Sequence, residues 1–288
     1  MYKTNNHKLE RQVMLTKFLD PKNDVAFKKI FGSEKNKDIL IHFLNDMLEF
    51  KAGKPITNVI FLKTVQEPEI AAKKTSIVDI MCNDEIGNSY IVEMQVAKEK
   101  GFIKRAQYYA AKAYSSQLNI KGKYGTLKEI IFLAIADFIM FPEKAKYKSD
   151  HVILDRDSFE HDLKDFSFTF LELEKFKKPK EKLSSMIEKW CYFFKHAEKT
   201  NEKELSKIIG DDLIIKKAYE ELNRFNWKEE ELNSYNAVIK KEMDYNDAME
   251  QKYDEGKKEI ITAMLKEGLD INLIAKLAGL TISELENL

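Results

Sequence analysis

Two short stretches, Ser76-Ile77-Val78-Asp79-Ile80 and Tyr90-Ile91-Val92-Glu93-Met94-Gln95-Val96, carry three polar groups within apolar, strand-like runs. Strand side chains alternate faces. Val78 and Ile80 therefore share one face and Asp79 takes the other. In the second stretch Tyr90, Val92, Met94 and Val96 share a face, and Glu93 and Gln95 project together from the opposite one. Ile77, Met81 and Ile91 flank the acidic face, so partial burial is expected there. A buried carboxylate without a partner is costly. Two carboxylates and an amide on one hairpin point to a divalent cation as that partner. The same pattern also fits the wet face of an amphipathic edge strand.

The segment between the stretches, Asn83-Asp84-Glu85-Ile86-Gly87-Asn88-Ser89, is rich in turn residues. Gly87 can adopt the left-handed conformation that closes a three-residue loop, Glu85-Ile86-Gly87. That register sets Asp79 opposite Glu93, and opposed Cβ atoms lie roughly 4.5–5.5 Å apart. Two carboxylates at that distance repel each other unless a cation stands between them. Mg²⁺ is bound by such carboxylates while keeping several waters. A slip of one residue would break the pairing.

The chain resembles the PD-(D/E)xK nuclease family transposases, also called recombination-promoting nucleases. The resemblance is carried by Leu19-Asp20-Pro21-Lys22-Asn23-Asp24-Val25-Ala26-Phe27-Lys28-Lys29-Ile30-Phe31-Gly32, by Ser76 to Asp79 with Ile91 to Gln95, by Arg105-Ala106-Gln107-Tyr108-Tyr109 and by Gly122-Lys123-Tyr124. It extends to about Phe176 and continues into the helical tail. It implies metal-dependent hydrolysis of DNA phosphodiesters, with a link to recombination or transposition. It gives the two metal-binding acids as Asp79 and Glu93. The third motif position is usually Lys; here it is Gln95, as is common in the resembling subfamily. Gln has no titratable group. It can orient a water or offer its carbonyl oxygen to the metal. Deprotonation of the water then rests on the metal or passes to the phosphate itself.

Asp24 precedes the amphipathic run Val25, Phe27, Ile30, Phe31. The resemblance implies that an acid from the first helix can join the metal site. Alternatively, Asn23 or Asp24 caps that helix. Lys28 reads either as a phosphate contact or as a solvated lysine. From Lys98 to Lys128 eight basic residues face one acid, Glu99. They are Lys98, Lys100, Lys104, Arg105, Lys112, Lys121, Lys123 and Lys128. Such a stretch can hold a phosphate backbone, largely without regard to base sequence, or form a solvated helix face. Lys104, Arg105 and Gln107 lead the candidates for substrate contact. Tyr108, Tyr109 and Tyr114 read as core.

These residues need a scaffold. Periodicity predicts helices over Asn36–Phe50 and Phe102–Leu118, and strands over Asn58–Val65, Glu129–Phe138, His151–Leu154 and Phe166–Leu173. This order makes a mixed α/β sheet flanked by helices, the restriction-endonuclease-like order that the resemblance implies. Lys175 to Glu181, with Pro179, marks a boundary. Residues 1–178 are expected as the nuclease-like domain and 179–288 as an all-helical region. Helices are predicted over Leu183–Phe194, Asp211–Leu222 and Lys228–Gly256. Twelve acids and seven basic residues lie between Glu220 and Glu259, so this part should avoid DNA; it is a candidate dimer surface. Asp270 to Leu285 predicts a helical hairpin, with Gly279 closing the first helix and a Thr281–Glu284 capping box opening the second. That second helix is short and lacks Arg and Lys, which favours packing over base reading.

The 288 residues carry 48 basic and 48 acidic side chains. Net neutrality alone does not mark a nucleic-acid binder. No apolar run reaches a membrane span, and Met1 to Phe18 lacks a signal-peptide pattern. Two cysteines, Cys82 and Cys191, suggest no disulfide framework; a cytoplasmic setting is expected. The five histidines show no zinc spacing. Phosphate-loop and nucleophile-elbow motifs are absent. Three functions follow: a DNA endonuclease using a divalent metal (Mg²⁺ before Mn²⁺ or Ca²⁺), a non-catalytic DNA-binding protein on a degenerate nuclease fold, or an interaction protein dominated by its helices.

Overall fold

A computed structural model describes residues 16–49, 55–66, 76–118, 122–210 and 212–286. Phe50, Lys121 and Asp211, assigned above to helix ends and to the basic stretch, lie outside them. Asn23 is the cap of the first helix: its side-chain oxygen accepts the Val25 N–H at 3.0 Å. Helix α1 (Asp24–Phe31) follows and buries Ala26, Phe27, Ile30 and Phe31. Helix α2 (Lys37–Leu48) buries Ile39, Leu40, Phe43, Leu44 and Met47, the stripe its apolar spacing predicts.

Next come β1 (Val59–Phe61), β2 (Val65–Gln66), β3 (Ser76–Ile77), β4 (Ile80–Asp84), β5 (Ser89–Gln95), α3 (Phe102–Ser115), β6 (Ile130–Ala136), β7 (Lys148–Val152) and β8 (Phe166–Glu172). Six strands form a mixed sheet in the order β1-β4-β5-β6-β8-β7. β5, β6 and β8 run parallel, and the other neighbours are antiparallel. Every residue of β6 is buried, as suits a central parallel strand covered on both faces. On one face Phe102, Ala106, Ala110 and Ala113 of α3 pack over Met81, Ile91, Phe132 and Ala134. On the other, Ile80 meets Gly32 at the end of α1.

Two strand expectations need correction. Asn58–Val65 is not one strand: β1 pairs with β4, while Val65 pairs with Ile77 in a separate two-stranded ribbon. Ser76–Ile80 is not continuous either. It breaks at Val78-Asp79, so Val78 joins Met81 and Ile91 beneath α3, and Ile77 is 59% exposed. The cause is local: the Asp79 N–H goes to a side-chain carboxylate instead of a ladder carbonyl.

Three further helices, α4 (Met186–His196), α5 (Glu202–Ile209) and α6 (Leu213–Glu221), follow; α5 was not anticipated. Trp190 and Phe194 of α4 pack on Phe31 and Phe43, with ring centroids 5.1–5.8 Å apart within the group. The Trp190 indole N–H donates to Asp46 at 2.7 Å. The chain divides into compact units Met1–Leu232 and Asn233–Leu288. The segment around residue 178 lies inside the first unit, because α4 beyond it buries Trp190 and Phe194 on Phe31 of α1 and Phe43 of α2.

Helix α7 (Glu229–Lys266) runs straight through Gly256, beyond the predicted end. A single helical Gly costs only about 1 kcal/mol relative to Ala. In the second unit α8 (Ile271–Ala278) and α9 (Ile282–Glu286) bury Ile274 and Leu285 with Ile261. Gly279, at φ +65°, ends α8. The Thr281 N–H donates to Glu284 at 2.8 Å, and the Glu284 N–H to the Thr281 hydroxyl at 3.3 Å, the predicted capping box.

Candidate active site

The β4–β5 hairpin sets the geometry. Gly87 sits at φ +95°, a conformation that favours glycine. Asp84 N donates to Asn88 O at 3.0 Å and closes the loop Glu85-Ile86-Gly87. Ile80 is then opposite Val92, and Met81 opposite Ile91. One step further, Asp79 meets Glu93.

There side chains replace the ladder. Asp79 N donates to Glu93 Oε1 at 3.0 Å, and Met94 N donates to Asp79 Oδ2 at 2.8 Å. Each carboxylate is fixed by an amide of the other strand. Asp79 Oδ1 and Glu93 Oε2 accept no hydrogen bond among the described residues. Glu93 is 5% exposed and the Asp79 side chain 21%. Burial, then the Asp79 charge, pushes Glu93 up to about 8. Burial also raises Asp79, against the pull of the Met94 amide and Lys28.

The other candidates divide. Lys28 Nζ lies 2.6 Å from Asp24 and 3.9 Å from Asp79 Oδ1. Asp24 is thus tied to the pair through Lys28, with a half-exposed side chain. Gln95 points the same way as Glu93 from β5. Its Oε1 accepts from Arg105 Nη2 at 2.5 Å, and its Nε2 donates to Ala97 O at 2.9 Å. Arg105 Nη1 reaches Glu99 at 2.6 Å. Lys104 and Gln107 are exposed, and the Gln107 amide turns back on Ile103 of its own helix. Tyr109 and Tyr114 pack on the core as expected; Tyr108 does not, being 46% exposed.

Sequence reasoning missed Lys22 and Asp137. Asp137 N donates to Gln95 O at 2.9 Å, and its carboxylate holds Lys22 Nζ at 2.6 Å. The available signal was position: Asp137 ends the apolar run of β6, and ligands bind α/β sheets outside the carboxyl ends of strands.

The donor set fits a hard divalent cation. The two carboxylates stand on opposed residues, and their second oxygens accept no hydrogen bond among the described residues, with the Lys28 ammonium 3.9 Å from Asp79 Oδ1. Among the described residues, no group of three or more His, Cys, Asp or Glu forms a metal cage. A two-carboxylate site suits Mg²⁺, which keeps waters and needs only one or two such ligands.

A six-stranded mixed sheet flanked by helices, with an acid pair near the carboxyl end of β5, is consistent with a PD-(D/E)XK nuclease-like α/β fold. A family model described as PD-(D/E)XK nuclease family transposase matches residues 21–252, and the chain belongs to that family. PD-(D/E)XK nucleases generally use divalent metals. No curated protein and no solved structure matches the chain. No described helix is long and apolar enough to cross a membrane.

Proposed function

We propose that this chain is a divalent-metal-dependent DNA endonuclease, with Asp79 and Glu93 as the metal ligands and Mg²⁺ as the cation. The observation that carries this reading is the crossed pair of amide–carboxylate bonds. It orients both acids before any ligand arrives and leaves one oxygen of each for the metal. When bound, a divalent cation supplies Lewis acidity toward a phosphate oxygen and lowers the pKa of a water. The protein's part is positioning. The Asp79 and Met94 amides hold the carboxylates. A bound cation would be held by the ionised forms of Asp79 and Glu93. Lys28 and Arg105 supply positive charge for the DNA backbone, and Asp24 steadies Lys28.

The family supports DNA as the substrate, and recombination or transposition as the setting of any cleavage. A cytoplasmic location, a site carried by residues 1–178 of the first unit, and a homodimer through the helical C-terminal region belong to the same reading. Sedimentation of the full chain decides the last. The second reading, a non-catalytic DNA-binding protein, is favoured by one observation: both ends of the Gln95 amide are already engaged.

Plasmid nicking separates the two. The full chain should nick supercoiled DNA in Mg²⁺ and not in EDTA. Asp79→Asn and Glu93→Gln should each lose about a hundredfold or more in rate, with melting curves intact. DNA binding without metal-dependent nicking would establish the second reading instead.

A further inference from the structure

We propose that Gln95 is a positioning residue for Arg105, and that the Arg105 guanidinium, held beside the Asp79–Glu93 pair, contacts a DNA phosphate at this site. The inference rests on the nuclease reading above and deepens it.

Gln95 offers one carbonyl oxygen and one amide nitrogen. The oxygen takes Arg105 Nη2 and the nitrogen holds Ala97 O. Held at both ends, the side chain is fixed in an orientation that brackets a guanidinium. Its neutrality matters, because a neutral acceptor fixes Arg105 without cancelling its charge. Glu99 takes the other arm, Nη1, from a half-exposed position where solvent screens the pair. The guanidinium also lies 5.0 Å from the Phe102 ring centroid and 6.0 Å from that of Tyr109, within cation–π range. The side chain still keeps 29% exposure.

Helix α3 delivers this group. Gly101, at φ +86°, turns the chain into the helix, and a Cβ there would meet nothing within 4 Å. Ala134 and Ala136 stand beside Glu93 and Gln95 on the neighbouring strand. Small side chains there let α3 approach closely. Gln95 lies two residues from Glu93 on the same face of β5, so the guanidinium it holds stands on the side of the sheet that carries the acid pair. A guanidinium fork suits phosphate oxygens.

Lys at position 95, the residue usual in the motif, cannot accept a hydrogen bond and would repel Arg105. Restoring the motif should therefore impair this protein.

The test uses the full chain with a short DNA duplex as probe. Duplex affinity is measured by fluorescence anisotropy in EDTA across a salt series, and nicking is measured in Mg²⁺. Arg105→Ala should weaken duplex binding about tenfold and flatten the log–log salt slope by about 0.9, the mark of one lost phosphate contact. Gln95→Ala should weaken binding less, and the double variant should be no weaker than Arg105→Ala alone. Gln95→Lys should lower kcat roughly tenfold or more. Arg105→Lys, which keeps the charge and loses the fork, should retain the salt slope and lose kcat; it decides the matter if Arg105→Ala fails to fold. Additive losses, an unchanged slope in Arg105→Ala, or a Gln95→Lys chain as fast as the parent overturns the proposal. A parent chain that does not bind duplex in EDTA overturns it too. A parent chain that binds but never nicks sinks the nuclease reading alone, since the binding cycle still tests Arg105.

Discussion

Asp79 and Glu93 each accept an amide from the other's side of the hairpin, and burial of the pair, against the pull of those amides, gives the site its pH behaviour. Glu93 holds its proton up to about 8, far above its ordinary value of 4.5. Below the ordinary value folded and unfolded chains both hold that proton. Above it the unfolded chain ionises first, so metal-free stability falls as pH rises from about 4.5 to about 8. A divalent cation must displace the proton. Calorimetric Mg²⁺ titration should therefore show release of about one proton near neutral pH. The apparent affinity should climb close to tenfold per pH unit until about 8. A flat affinity across that range would contradict the assignment. The residue types at this site were legible in the sequence: two acids and an amide on one face of alternating strands. Lys22 and Asp137 were not, because neither lies near Gln95 in the chain and only the sheet brings them together.

Among the elements, the β4–β5 hairpin does most to place the acids, and it was readable in advance. A turn-rich segment with one well-placed glycine fixed both loop and register. Gly87→Ala should cost about 1–2 kcal/mol in urea unfolding, from forcing a side chain into the left-handed region. Gly87→Asn should cost less, since Asn tolerates that region better. Equal losses would mean that the φ of Gly87 is not what the loop depends on. The break at Asp79 was hidden because alternation assumes that every residue stays in the ladder. Here two side chains take over as acceptors and end the strand early. Helix α5 was missed because it is short and has few apolar residues. Its Asn201–Glu204 capping box was the signal that could have found it.

For the molecule as a whole, Pro179 reads as punctuation in the local backbone and says nothing of what packs against what. Trp190, fully buried, lies beyond that proline yet packs with Phe31 and Phe43. Trp190→Ala should cost about 3–5 kcal/mol. It should shift the urea transition of the Met1–Leu232 unit as one step. Two separated transitions, with only one displaced, would show that the helices after Pro179 fold on their own. With a net charge of zero, the proposed DNA binding rests on local groups such as Lys28 and Arg105, so it should weaken with salt by a log–log slope of about 0.9 per phosphate contact.

In the proposed site an opposed acid pair grips a divalent ion. Anomalous diffraction from crystals grown with Mn²⁺ tests it most directly. A peak should stand between the Asp79 and Glu93 carboxylates and be lost in Glu93→Gln. A peak elsewhere, with nothing between those two groups, would contradict it.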